Sequence, residues 1–383
     1  MRKTLLVLFL VAAGSGQAGQ PGEAVANARS GSAAVAPGGE KRFDETSADA
    51  VVDVRFSGQP GAVFNGRPHF ATIGQALAAA PAGAAPYRLF VRQGRYYERV
   101  TVTRPNLIIQ GGGREETLLT FDACSDTRNP AGGTLGTWGC ATLMVRAPGF
   151  AASDLTIENG FDYPGNARKP EEDSTRIRNA QAVAMMLAEG SDEAVFRRCI
   201  IRGFQDTLFP NAGRSCFDSC RILGHVDFIF GAGQALFSGC DIVSRDRPGK
   251  NPAGYITAPS TLASYPYGFL FLRCRLLKES PEMAAGSVRL GRPWHPHADP
   301  AVSGSAVFVA CYMEDHLGTE GYAEISSSDS TGKKIIYAVG PDSRFFEYGS
   351  YGPGALITAQ RPQLTAAAAA WYTPEQLLRG WQP

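Results

Sequence analysis

A short phrase, Phe-x-x-Cys followed two residues later by Ile, Leu or Met, recurs along this chain and restricts what it can fold into. It reads Phe196-Arg-Arg-Cys199-Ile-Ile201, Phe217-Asp-Ser-Cys220-Arg-Ile222, Phe237-Ser-Gly-Cys240-Asp-Ile242, Phe271-Leu-Arg-Cys274-Arg-Leu276 and Phe308-Val-Ala-Cys311-Tyr-Met313. Phe150-Ala-Ala-Ser153-Asp-Leu155 is an earlier relative, so the Phe positions are separated by 46, 21, 20, 34 and 37 residues. Steps near 20 are too short for a strand–helix–strand unit of ~30 residues. Each unit reads as a short strand ending in a polar or Gly turn. Coils of three such strands, stacked in register, make an all-β right-handed parallel β-helix. The longer steps are then coils with loops inserted on one face, where binding usually sits. An antiparallel sandwich is the alternative, but it leaves the recurrence without a cause.

A solenoid must be closed at its ends. Phe70–Ala80 has the pattern of an amphipathic helix stopped by Pro81, placed to cover the first coil. Thr373-Pro374-Glu375-Gln376 is a capping box with Pro at the first helical position, opening a short helix through Leu378. Ala366–Ala370 reads as another helical piece. One domain from 46 to 383 is the economical organisation.

The first residues belong to a different class of segment. Arg2 and Lys3 precede an apolar run, Leu5–Ala13, with small residues and a cleavage point after Ala18. That is the layout of a secretory signal peptide, residues 1–18; a buried N-terminal helix is the alternative. No Cys follows the run to carry a lipid anchor, and residues 19–45, rich in Gly, Ala, Ser and Pro, read as a flexible leader. The expected location is outside the cytoplasm, periplasmic or secreted. Charge agrees with a plain soluble product: 37 Lys+Arg stand against 36 Asp+Glu in 383 residues. Such a balance offers no bulk attraction for nucleic acid, and no apolar run is long enough to span a bilayer. A monomer is expected.

Five of the eight cysteines occupy one repeat position. Equivalent residues on adjacent coils lie ~4.8 Å apart, within the Cα separation of about 4.4–6.8 Å that a disulfide allows. An exported chain can therefore bridge Cys220 to Cys240, or keep a ladder of buried thiols; spacing alone does not choose. Cys124 and Cys140 can close a loop. The spacing matches no zinc site, and His295 and His297 merely flank Pro296, so no metal is expected.

Chemistry is expected where the coils carry polar residues the repeat does not need. Gln205-Asp206-Thr-Leu and Val226-Asp227-Phe-Ile-Phe230-Gly place two aspartates 21 residues apart, the step of their own coils. Stacked carboxylates cannot both ionise easily, so such a pair divides into a proton carrier and an anion. Asp227 lies in an apolar run, a costly place for a purely structural charge. Gln181 falls 24 residues before Gln205, roughly one coil earlier, and side-chain amides aimed at one point suit an oxyanion. A buried Asn/Gln/Asp ladder is the structural alternative, and paired carboxylates also suit glycosidic cleavage. Leu290-Gly-Arg292-Pro-Trp294 adds a guanidinium for a carboxylate and a flat face for a sugar. No Gly-x-Ser-x-Gly elbow is present to support a serine hydrolase.

Gln-Asp-Thr-Leu, Val-Asp-Phe-Ile-Phe-Gly and Leu-Gly-Arg-Pro-Trp, in that order, resemble the pectin methylesterases (pectinesterases), and bacterial secreted members most. Thr-Ala-Pro-Ser at 257–260 and Asp-Ser-Arg-Phe-Phe-Glu-Tyr at 342–348 extend the resemblance over most of the mature chain. It implies a pectin-lyase-like solenoid and hydrolysis of the methyl esters of homogalacturonan, with release of methanol and no cofactor. By resemblance Asp227 is the nucleophile, Asp206 the acid/base, Gln181 and Gln205 the oxyanion hole, and Arg292 the residue that orients Asp227. Trp294, Phe230, Phe209, Tyr255 and Met313 would line the sugar groove, with Arg247, Asn251 and Thr137 nearby. Cys220 and Cys240 match the family's bridge-forming pair. The chain departs from common family patterns at His225, at Phe209, and at Trp138, which stands where small residues are frequent. A chain-cleaving polygalacturonase-type hydrolase and an inactive polysaccharide-binding β-helix are the competing readings.

Overall fold

The computed structural model describes residues 43–340 and 342–383. The expected signal peptide and nearly all of the leader lie outside them. Glu45, assigned from sequence to the leader, already belongs to the fold, since its carboxylate pairs with Arg92 at 2.5 Å.

Three stacked sheets of 12, 8 and 7 strands carry the chain. Their pairings are parallel except in the entry hairpin Ala62–Phe64/Arg67–Phe70, and a separate two-stranded antiparallel ribbon joins Ile325–Ser328 to Lys334–Tyr337. The chain visits the sheets in rotation, as a parallel β-helix. The register follows the repeat. Phe196, Phe217, Phe237, Phe271 and Phe308 are direct partners in the 12-stranded sheet. Their rings stack 4.5–4.9 Å apart and within 10° of parallel. Ile201, Ile222, Ile242, Leu276 and Met313 form the matching ladder in the eight-stranded sheet. Both ladders point inward, so the core is a column of like on like.

Between the two ladders the chain turns on a single residue. Asp154, Arg198, Ser219, Gly239, Arg273 and Ala310 all have φ between 52° and 59°, the left-handed region. One such residue breaks the strand and re-aims it into the next sheet. After each of these except Asp154, which precedes Leu155, a Cys sits at the corner with its thiol against a main-chain oxygen one coil back: Cys220 Sγ lies 3.4 Å from Phe196 O, and Cys240 Sγ 3.3 Å from Phe217 O. All eight cysteines are free and buried. The structure holds no bridge between Cys220 and Cys240, the pair implied by the family resemblance; both are present as thiols on adjacent coils.

Two further expectations are corrected. Ala152, not Phe150, pairs with Phe196, and Cys199 Sγ reaches Ala152 O at 3.5 Å. Phe150 instead fills the core beside the Phe196 ring, tilted by 47°. At the C-terminal end, the helix Pro374–Leu378 has its expected Thr373 cap, yet it does not cover the last coil. Leu377 and Leu378 pack on the outside of the 12-stranded sheet with Cys216, Leu236, Leu270 and Val307. The entry helix is present but shorter than expected: Phe70 ends the strand Arg67–Phe70, Thr72 caps, and the helix runs Ile73–Ala79, burying Ile73 and Ala76.

The seven-stranded sheet runs through Val100–Val102, Leu143–Val145, Met185–Leu187, Leu208–Pro210, Val226–Gly231, Gly254–Pro259 and Val288–Gly291. Several long connections, 122–142, 160–184, 245–253 and 292–303, enter or leave this sheet. Its outer face is therefore walled by loops.

Candidate active site

Asp206 and Asp227 meet on that outer face. Asp206 N donates to Val226 O at 3.0 Å, which sets the two aspartates one coil apart, as the 21-residue spacing predicts. Both adopt left-handed backbone, φ 60° at Asp206 and 50° at Asp227. Asp tolerates this conformation better than most residues, and such strain gathers at functional sites. In the strand Val226–Gly231 it produces a bulge. Val226 pairs with Tyr255 and Ile229 with Thr257, so one extra residue is accommodated on the Asp227 side. Bulges re-aim side chains. Here Asp227 gains a place on the groove while Phe228 and Ile229 both remain in the core.

The two carboxylates live in different electrostatic surroundings. Arg292 Nε lies 2.8 Å from Asp227 Oδ1 and Nη2 lies 2.5 Å from Oδ2, a bidentate grip that favours the anion. The guanidinium is itself seated over the Tyr255 ring, 4.1 Å from its centroid. Asp206 has no such clamp. Burial first, and the neighbouring Asp227 charge second, push its carboxyl well above the ordinary carboxylate range; Arg292 and the Gln205 side chain oppose this only in part. Asp206 thus keeps its proton beside a carboxylate that Arg292 holds in an ion pair.

Gln181 and Gln205 flank the aspartates on successive coils, with Ala182 N donating to Gln205 O at 3.1 Å. Gln181 Oε1 is buried and has no hydrogen-bond partner among the described residues. The Nε2 end of this amide has no acceptor among the described residues, which leaves it available to a developing negative charge.

His225, one of the positions where the chain departs from common family patterns, braces the backbone of the site. It is 1% exposed, and Val226 N donates to its Nδ1 at 2.7 Å, fixing the backbone just ahead of Asp227. The Tyr163 ring lies 4.3 Å away at 68°. Burial, helped by Arg247 and Arg245, pushes its pKa down to about 3, so it is neutral beside the carboxylates. Gly224 must precede it, because a Cβ there would sit 2.3 Å from Phe228 Cβ.

The expected groove residues divide. Trp294 is half-buried and meets the Phe230 ring at 5.8 Å, while Tyr255 lies under Arg292. Phe209 and Phe230 stack at 4.0 Å but are themselves 0% and 3% exposed; they support the wall instead of facing solvent. Thr137 hydrogen-bonds Ser125, and Arg247 Nε donates to Tyr163 Oη at 3.0 Å on the His225 flank. Asn251 is exposed on the 245–253 loop, with no contact that joins it to the aspartates. Met313 is misplaced by the resemblance. It is fully buried inside the solenoid, paired with Leu276 and touched by Arg361 at 3.3 Å. Among the described residues no group of His, Cys, Asp and Glu could hold a metal ion, and no helix is long and apolar enough to cross a membrane.

The pectinesterase family model matches residues 62–380. The chain belongs to the pectinesterase family. It is 42% identical over 325 residues to pectinesterase A of Dickeya chrysanthemi, covering 82% of this chain and 88% of that one. Among solved structures it resembles a pectin methylesterase in complex with a hexasaccharide, with TM-score 0.83 and 41% identity over 88% of this chain and 98% of that chain. The pectin methylesterase of Yersinia enterocolitica superposes with TM-score 0.79 and 42% identity, covering 82% of this chain and all of its counterpart. The fold is therefore the pectinesterase β-helix, and the protein is a carboxylic ester hydrolase with pectin methylesterase activity.

Proposed function

We propose that Asp227 is the nucleophile and Asp206 the acid/base in hydrolysis of the methyl esters of homogalacturonan. The observation that carries this reading is the asymmetry of the pair: Arg292 holds Asp227 as an anion, and Asp206, raised by burial and by Asp227, keeps its proton. One Asp227 oxygen attacks the ester carbonyl carbon. The carbonyl oxygen becomes an oxyanion facing the Gln181 and Gln205 amides. As the C–OCH3 bond breaks, Asp206 passes its proton to the departing oxygen and methanol leaves. The remaining acyl–Asp227 anhydride is attacked by water, whose proton returns to Asp206. Asp227 is released as the carboxylate, and the second proton of the water departs with the galacturonic acid, which gives it up to solvent. No step calls for a metal or an organic cofactor.

On this reading the substrate is methylated pectin of plant cell walls, and the chain acts outside the cytoplasm as a monomer without an anchor, after removal of residues 1–18. The nearly balanced charge supports recognition by local groups over bulk attraction to a polyanion. Asp227→Ala and Asp206→Ala, assayed for methanol release from methylated pectin, test the assignment. Each should lose at least about a thousandfold in kcat; full activity in either variant would overturn its role. Chain scission without methanol would favour a glycoside hydrolase instead.

A further inference from the structure

Trp138 is 55% exposed, a large apolar surface left open beside a polar site. It stands on the four-residue helix Gly136–Gly139, in the loop that enters the strand Leu143–Val145. That loop is pinned. Gly136 N donates to Ser125 O at 2.9 Å, the Thr137 and Ser125 hydroxyls are 2.9 Å apart, and Arg99 reaches Gly139 O. Ser125 N in turn donates to Gln181 O at 2.8 Å, so the position of the indole is tied to the coil that carries Gln181.

The indole meets Phe209 edge to face, 5.0 Å between centroids at 65°. Trp294 approaches the same Phe209 ring at 6.4 Å, and the Phe230 ring stacked on it at 5.8 Å. Trp138 precedes the Asp206 and Asp227 coils along the solenoid, and Trp294 follows them. Two indoles with open surface therefore converge from opposite ends of the carboxylate pair onto one buried aromatic floor.

We infer that Trp138 is a specificity-determining residue: with Trp294 it forms an aromatic slot that accepts an uncharged, methyl-esterified galacturonate and disfavours one whose carboxylate is free. The inference rests on the pectin methylesterase reading of the site. An indole offers flat apolar contact to the C–H face of a pyranose and to an ester methyl. The same surface would strip water from an ionised carboxylate without returning a hydrogen bond. Each turnover converts the first kind of unit into the second, so the slot separates substrate from product.

Steady-state methanol release by W138A on pectins of high and low methylation tests this. The KM for the highly methylated pectin should rise roughly five- to tenfold, the size of one aromatic contact, with a smaller change in kcat. The KM for sparsely methylated pectin should rise less, and W138F should recover most of the loss. An unchanged KM, or an equal rise on both pectins, overturns the inference. A wild-type enzyme that releases no methanol would instead defeat the underlying reading. Should W138A fail to fold, fluorescence decides: the wild-type minus W138F difference emission should shift on adding a methylated oligogalacturonide and stay fixed on adding the de-esterified one. No shift, or the same shift with both, overturns it.

Discussion

Arg292 contacts both oxygens of Asp227, at 2.8 and 2.5 Å, across 65 residues of sequence and two strands of one sheet. The grip fixes the rotation of the carboxylate as well as its charge. A lysine would keep the charge and lose the fork, since an ammonium is a point donor on a flexible stem. Arg292→Lys should therefore lower kcat for methanol release by roughly a hundredfold with little change in KM. Wild-type kcat in that variant would mean that the orientation of Asp227 does not matter.

Asp206 makes a prediction about pH. Its folded pKa lies above the ordinary value of 3.8, with burial the largest cause. The folded state thus binds this proton more tightly than the unfolded state does. The associated stability is fully present below pH 3.8 and is lost as pH rises through the elevated folded value. Asp206→Asn, which cannot ionise, should be progressively more stable than wild type as pH is raised from 4 to 7, measured as the difference in Tm. A difference independent of pH would contradict the raised pKa. Activity should also fall on the alkaline side as Asp206 loses the proton it donates.

The thiol ladder is open to direct counting. With all eight cysteines free and buried, the native protein should react slowly with alkylating agents. After unfolding in denaturant without reductant, eight thiols should be modified and detected by intact mass. A count of six, with Cys220 and Cys240 protected, would show that the pair oxidises despite its hydrogen bonds to Phe196 and Phe217.

Much of this architecture is legible in the repeat, because an in-register solenoid places like residues over like. The spacing of Phe217, Phe237 and Phe271 reads directly as register. The reading fails where shape and type diverge. Ala152 holds the ladder position beside Phe196, but alignment by residue type selects Phe150 two positions earlier. The left-handed corners are hidden for a related reason: Gly239 and Asp154 are types that suit positive φ, while Arg198, Ser219, Arg273 and Ala310 reach it under the constraint of the stacked coils. The aspartates, Gln181 and Arg292 are legible through spacing and motif. Met313 was not, although its place after Cys311 puts it on the inward ladder with Leu276. His225 and Trp138 act through neighbours distant in sequence, Tyr163 and Phe209, and no local pattern names those partners.

The far end of the solenoid supplies the last prediction. Arg361 is 0% exposed and Glu347 2%, paired at 2.6 and 2.8 Å. The guanidinium also donates to Gly354 O at 2.6 Å and lies 3.3 Å from Met313 Sδ. It therefore ties the 349–360 turn to the strand Ser343–Tyr348 and to the ladder of buried side chains beneath. Two buried charges in such a place are costly to desolvate, and the pair is tolerated because every donor finds an acceptor. Removing one partner leaves the other charge stranded. Glu347→Gln should consequently destabilise the fold by about 3–5 kcal/mol, seen as a lower midpoint in urea, while kcat at 25 °C stays near wild type in the fraction that remains folded. Arg361→Met with Glu347→Leu, which removes both charges and keeps apolar volume, should recover much of that loss. A double variant as unstable as Glu347→Gln would show that the hydrogen bonds from Arg361 to the turn, and not the stranded charge, dominate this closure.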